Sequence, residues 1–187
     1  MNNKDKLVEY SALLMSQDGY LSVSLDKLIE TTGISKSNFY YHYQSKEMLG
    51  LDVLTYWINA FLKLDEISLN NAKLLPRNRL EQYFNRLIGF QKDNDCCGNP
   101  CWLLASEIVP NEATTIYQHF VIKHRQNMQN CIADGQKVGV ISPKLDASST
   151  AFLMLQTILG AEMDCRTEKS TLPLNTVTRL LSDFILT

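Results

Sequence analysis

Apolar residues recur at helical spacing along most of this chain. Leu25, Leu28 and Ile29 stand at i, i+3, i+4, one face of a short helix, and Ser24 precedes them as an N-cap. Gly33 can take positive φ and reverse the chain, and Ser35 caps the helix that follows. Helix, tight turn with glycine, helix is a helix-turn-helix signature. A first helix is predicted over about Asn3 to Asp18, with Leu7, Tyr10 and Leu14 on one face, Leu13 flanking it and Gly19 closing it. Ser45 caps a long helix from Lys46 to about Leu64. Its apolar residues Leu49, Val53, Leu54, Trp57, Ile58 and Phe61 span an arc wide enough to join a head to a second body.

Beyond residue 65 the period stays helical. Pro76 suits a helix start before Leu80, Phe84, Leu87 and Ile88, and Cys101 to Ile108 is a short run stopped by Pro110. Glu112 to about Val138 carries Ile116, Phe120, Met128 and Ile132 on a face, with Gly139 as its stop. Pro143 and Asp146 introduce a helix over about Ser148 to Asp164. Pro173 precedes a last one bearing Val177, Leu180, Leu181, Phe184 and Ile185. The expected fold is all-α: a three-helix head with the helix-turn-helix at residues 1–46 and a larger helical body at 47–187. The helix around Phe152, Leu155, Leu159 and Met163 is apolar nearly all round. Such a helix is buried nearly all round, either as the core of one chain or against a second copy.

Composition narrows the class. The 187 residues are 45 % hydrophobic and 20 % charged, as in globular proteins, and no run reaches the length of a membrane span. The N-terminal Met-Asn-Asn-Lys-Asp-Lys leads into a polar-interrupted helix, not a secretory signal, so a cytoplasmic protein is expected. A net charge of −2 argues against non-specific nucleic-acid binding. Distribution matters more than total charge, because no acid occurs between Glu30 and Glu47. Lys36, Ser37, Asn38, Tyr40, Tyr41 and His42 crowd that interval. All can donate to phosphate, and the first of them can reach base edges. The competing reading is an ordinary polar surface helix with an accidental aromatic cluster.

Gly19-Tyr20, Ser24-Leu25, Leu28, Thr32-Gly33-Ile34-Ser35-Lys36, Phe39-Tyr40, His42-Tyr43 and Ser45-Lys46-Glu47 with Leu49 resemble the DNA-binding domain of TetR-family bacterial regulators. The resemblance covers roughly residues 3 to 50. Ser37 stands where many members have Gly, and Ile29 where a small residue is usual. It implies a homodimer whose last two helices pair through Phe152, Leu155, Leu159, Met163, Val177, Leu181 and Phe184, bound to a roughly palindromic double-stranded operator. Lys36 and Ser37 are the candidates for base edges, with Tyr40 against a thymine methyl or a phosphate. Tyr41, His42 and Lys46, with the caps Ser24 and Ser35, are the candidate phosphate clamps. Phe39 is assigned to the core.

The body's chemistry is less specific. Cys96, Cys97 and Cys101 fall in the turn Asp95-Cys96-Cys97-Gly98-Asn99-Pro100-Cys101-Trp102. They suggest a disulfide, a thiol sensor with Cys101 activated at a helix start, or simply buried small residues. Zinc held by these thiols with His119 or His124 is a weaker reading, since paired Cys-x-x-Cys spacing is absent. No metal or cofactor is assigned. Trp57, Phe61, Trp102, Tyr117 and Phe120 are candidate lining for an unidentified small-molecule effector. Glu107 and Glu162 interrupt apolar stretches nearby. The expected function is a dimeric repressor released by a small molecule or by thiol modification. The alternative is a cysteine-dependent enzyme built on the Cys96–Cys101 turn with a distant histidine as base.

Overall fold

The computed structural model describes residues 3–108 and 111–186. Among them are nine helices: α1 Asn3–Asp18, α2 Leu25–Thr32, α3 Lys36–His42, α4 Lys46–Ile67, α5 Pro76–Asp93, α6 Pro100–Glu107, α7 Glu112–Lys137, α8 Ala147–Glu168 and α9 Leu172–Ile185. The all-α expectation holds, and the only extended pairing among these residues is a single antiparallel bridge between Ile141 and Leu186. The helix stop assigned to Pro110 lies outside the described residues. The chain forms two compact units, one of residues 1–60 with 99–119, the other of 61–98 with 120–187.

In the first unit, local chemistry fixes the head. The Ser24 hydroxyl accepts from Lys27 N at 3.1 Å, Gly33 takes the left-handed conformation at φ 66°, and the Ser35 hydroxyl accepts from Asn38 N at 3.3 Å. Each satisfies a backbone group that a helix end leaves open. Phe39 and Leu28 are fully buried and hold α3 against α2. One expectation changes: α1 buries Leu7, Ser11 and Met15, with Ala12 and Ser16, while Tyr10 and Leu13 face solvent. Small polar residues occupy the tightest contacts, so the largest apolar side chains did not mark the inner face. Ser16 remains satisfied by donating to Leu13 O at 2.8 Å, and Trp57 Nε1 donates to Ala12 O at 3.3 Å.

The α1–α2 turn rests on a charge. Leu21 N donates to Glu107 Oε2 at 3.0 Å, and Gly19 sits over the same carboxylate with φ 86°. A Cβ placed at Gly19 would lie 3.2 Å from both carboxylate oxygens. Glu107 is therefore a structural anchor of the turn.

The second unit packs α8 along α9, and α9 along α5. Its core includes Tyr83 and Leu87 of α5, Met128 and Ile132 of α7, Met154 and Ile158 of α8, and Leu174 and Ile185 of α9. Leu155 and Leu181, expected at a partner, are buried in the chain's own core. Phe152, Leu153 and Met163 of α8 and Leu172, Leu180 and Phe184 of α9 remain exposed. No helix among the described residues is long and apolar enough to cross a membrane.

Gly19→Ala should destabilise the fold by roughly 1–2 kcal/mol, because a left-handed L-residue is strained and its methyl crowds the Glu107 carboxylate. Urea unfolding monitored by circular dichroism measures this, and an unchanged midpoint would refute the role given to the turn.

Candidate nucleic-acid interface

The outward surface of α3 is built by its burial on the other side. With Phe39 inside, Lys36, Ser37, Tyr40 and Tyr41 are exposed, Tyr41 at 84 %. Tyr41 and His42 stack edge-on with ring centres 5.0 Å apart. Asn38 is only half-buried, and its side-chain oxygen is buried without a hydrogen-bond partner among the described residues, so it is less outward than expected. Ser24 and Ser35 accept bonds as caps, which leaves each hydroxyl hydrogen available to a phosphate. Ser35 Oγ also lies 3.0 Å from Ser37 Oγ.

Tertiary structure adds charges that the linear pattern kept apart. Asp26 of α2 comes within 3.8 Å of Lys36 Nζ, both side chains being well exposed. Such a pair contributes little and yields readily to a phosphate. Lys46 Nζ sits 4.1 Å over the Tyr20 ring, and burial lowers its pKa. Tyr20 in turn bonds Glu47, and burial together with that carboxylate pushes its hydroxyl up to about 12. Lys46 is thus a partly sheltered cation, less freely presented than Lys36. At the other end of α3, the Tyr43 hydroxyl donates to Asp52 Oδ2 at 2.8 Å, and Lys4 Nζ lies 2.9 Å from the same oxygen. Asp52 went unread in sequence because it looks like any polar position of α4. Nothing in its spacing announces that two elements converge on it.

The chain is similar in sequence and fold to known regulatory proteins. Residues 3–53 match the sequence profile described as bacterial regulatory proteins, tetR family. The HTH-type transcriptional repressor DhaR of Mycobacterium sp. (strain GP1) is 26 % identical over 175 residues, covering 92 % of this chain and 86 % of that one. The regulatory protein TetR from Rhodobacter sphaeroides superposes with a TM-score of 0.89 at 18 % identity, over 97 % of each chain. A TetR-family transcriptional regulator from Agrobacterium tumefaciens gives 0.88 at 20 %, over 98 % of this chain and 97 % of that one. Residues 3–53 thus form a head of the tetR-family type, and the chain shares the fold of these regulators.

The predicted effector residues are divided between the two units. Phe61 and Phe120 meet in the second unit, 6.2 Å apart, with Phe90 5.2 Å from Phe61. Trp57, Trp102 and Tyr117 belong to the first unit, where Trp57 is buried and Trp102 is exposed. Of the readings left open for the cysteines, buried small residues fits best. All five are unpaired as disulfides and buried. Burial pushes the Cys97 thiol up to about 12, with the Glu162 carboxylate adding to it. That is the opposite of an activated thiolate. Cys96 and Cys97 lie in the second unit and Cys101 in the first.

A buried polar relay was not read from sequence at all. Asp65 Oδ2 lies 2.8 Å from His124 Nδ1 and accepts from Asn127 Nδ2 at 2.8 Å, while His124 Nε2 is 3.0 Å from the Tyr83 hydroxyl. The tautomer with its proton on Nδ1 satisfies each contact: histidine donates to Asp65, and Tyr83 donates to Nε2. Both ring nitrogens are therefore engaged, which removes His124 as a zinc ligand or free base. Asp65 Oδ1 is buried with no hydrogen-bond partner among the described residues. A weak hint existed in His124 and Asn127, three apart and set among the apolar positions Phe120, Met128 and Ile132 of α7.

Two outcomes follow from these environments. Asp65→Ala should cost about 3 kcal/mol or more, because it strands the buried His124 and Asn127 donors. Urea denaturation tests this, with an unshifted midpoint counting against the relay. At pH 8, iodoacetamide should alkylate Cys97 at least about a hundredfold more slowly in native protein than in urea. The native rate should climb with pH toward 12, and native labelling as fast as in urea would reveal a reactive thiol there.

Proposed function

We propose that this protein is a homodimeric transcriptional repressor that binds a roughly palindromic operator through α3 and is released by a small molecule. The observation that carries the reading is the outward surface of α3: Lys36, Ser37, Tyr40 and Tyr41 exposed on a helix with no acidic residue of its own. These side chains supply donors for phosphates and base edges at the position where a recognition helix meets the major groove. Repression is supported by the name of DhaR, a transcriptional repressor similar over most of this chain. A cytoplasmic location is part of the same reading.

Dimerisation is supported by α8 and α9. An open groove of about 540 Å³ lies between them, lined by Gly160, Ala161, Leu172 and Val177 among others. Exposed Phe152, Met163 and Phe184 are large apolar side chains that a second copy would cover. A two-fold pair places its recognition helices about 34–36 Å apart, one turn of DNA. For the effector, the aromatic group of Phe61, Phe90 and Phe120 supports binding in the second unit. Release then reflects preferential binding to a dimer whose heads no longer match the operator. The thiol-enzyme reading has no observation in its favour, since Cys97 is held as the thiol and His124 is tied to Asp65 and Tyr83.

The test is fluorescence anisotropy with duplex DNA from immediately upstream of this protein's gene. Lys36→Ala and Tyr40→Ala should each weaken specific binding by roughly tenfold or more, and Lys36→Ala should also flatten the salt dependence. Equal affinity of both variants and the parent would overturn α3 as the reading surface.

A further inference from the structure

The turn between α5 and α6 is fastened to one face of α8. Arg166 Nη1 donates to Cys97 O at 2.7 Å, and Lys169 Nζ donates to Asp95 O at 3.1 Å and to Asp95 Oδ2 at 3.3 Å. A Cβ placed at Gly98 would lie 3.2 Å from Glu162 O and 3.2 Å from Arg166 Cβ. Glu162 and Arg166 are spaced i, i+4 on one stripe of α8, and Lys169 follows as its left-handed C-cap at φ 50°. Cys165 fills the i+3 position of that stripe and is fully buried. On the turn, Cys96 stands between Asp95 and Cys97, the two residues whose carbonyls Lys169 and Arg166 hold. Cys96 also acts electrostatically on Cys165, so beneath these bonds the two thiols are neighbours.

The backbone of the turn is unusual at the same place. Asp95 and Cys96 both adopt left-handed conformations, at φ 52° and 49°. A cysteine is strained there, because its Cβ crowds the following carbonyl oxygen. The conformation is held by Cys96 N donating to Gln91 O at 2.7 Å and by the buried Gln91 amide, which bonds both Gly98 N and Gly98 O.

We infer that Cys96 and Cys165 form a disulfide under oxidation, latching the α5–α6 turn to the end of α8. This deepens the regulator reading and rests on it for its consequence, though not for its chemistry. Cys96 keeps 8 % of its surface exposed and Cys165 none, so Cys96 meets the oxidant first. With a diazenedicarboxamide as oxidant, the Cys96 thiolate adds to the N=N bond and forms an S–N bond. Cys165, which burial holds as the thiol, gives up its proton as its sulfur attacks that of Cys96. The S–S bond forms, the S–N bond breaks, and its electron pair leaves with the nitrogen. The two thiols lose two electrons, and the diazene becomes a hydrazine that carries both protons. Cys97 is the neighbouring control, its thiol directed to Gly98 O at 3.6 Å. The chain passes from the turn directly into α6, whose Glu107 anchors Leu21, so operator affinity is a second readout.

The experiment treats reduced full-length protein with diamide, blocks remaining thiols in urea, digests without reduction and maps linked peptides by mass spectrometry. The expected result is an intramolecular Cys96–Cys165 link, absent in Cys96→Ser and Cys165→Ser and retained in Cys97→Ser. If Cys165→Ser loses its helical circular dichroism, Cys96→Ser alone carries the comparison. A dominant Cys96–Cys97, Cys96–Cys101 or intermolecular link, or full alkylation of all five cysteines, overturns the inference. Oxidation should also change operator affinity at least tenfold in the parent but not in Cys96→Ser; equal affinities overturn the regulatory role. Failure of the reduced protein to bind its operator counts against the regulator reading and leaves the mapped disulfide standing.

Discussion

The burial of Phe39 beneath α3 is the contact on which the DNA-facing surface rests. A seven-residue helix is not stable alone in water, so its conformation must come from its anchors. Phe39 supplies the apolar one, the Ser35 cap fixes the first turn, and the Tyr43–Asp52 bond fixes the chain just past the last. Turning α3 by one residue's rotation would expose Phe39 and bury Lys36 or Tyr40. The apolar anchor therefore decides which side chains reach outward, although it touches no DNA itself.

The second unit is constrained differently, by buried polarity. Asp65, His124, Asn127 and Tyr83 tie α4, α5 and α7 through directional bonds within an otherwise apolar interior. Apolar contacts tolerate sliding, but a buried carboxylate separated from its donors does not. The same low-polarity surroundings hold Cys97 and Cys131 as neutral thiols, each pushed up to about 12. Burial that stiffens the unit thus also quiets its most reactive atoms. Cys96, at the edge of the packed turn and in a strained backbone conformation, stands apart from them.

Helices α8 and α9 show how one element serves two surfaces. Leu155 and Leu181 face the chain's own core, while Phe152 and Phe184 face away from it. Both sets are apolar, so the sequence could not separate the inward set from the outward one. Only the rotation of each helix separates them.

The helices themselves were legible because their signals are local. Spacing at 3.6 residues, capping hydroxyls at Ser24 and Ser35, and glycines at 19 and 33 act within a turn or two of chain, and each recurs in the structure. The family and the outward surface of α3 were legible for the same reason, since the motif is contiguous. What remained hidden joins residues far apart: Glu107 to Leu21, Asp26 to Lys36, Asp65 to His124, and the turn at Asp95–Gly98 to Arg166 and Lys169. The sequence by itself determined where the helices lie and that the head is of the tetR-family type, because backbone bonding and side-chain periodicity are short-range. Tertiary structure alone decided which carboxylates became anchors, which thiols were silenced and which apolar faces were left open, because those depend on burial and long-range proximity that no local spacing encodes.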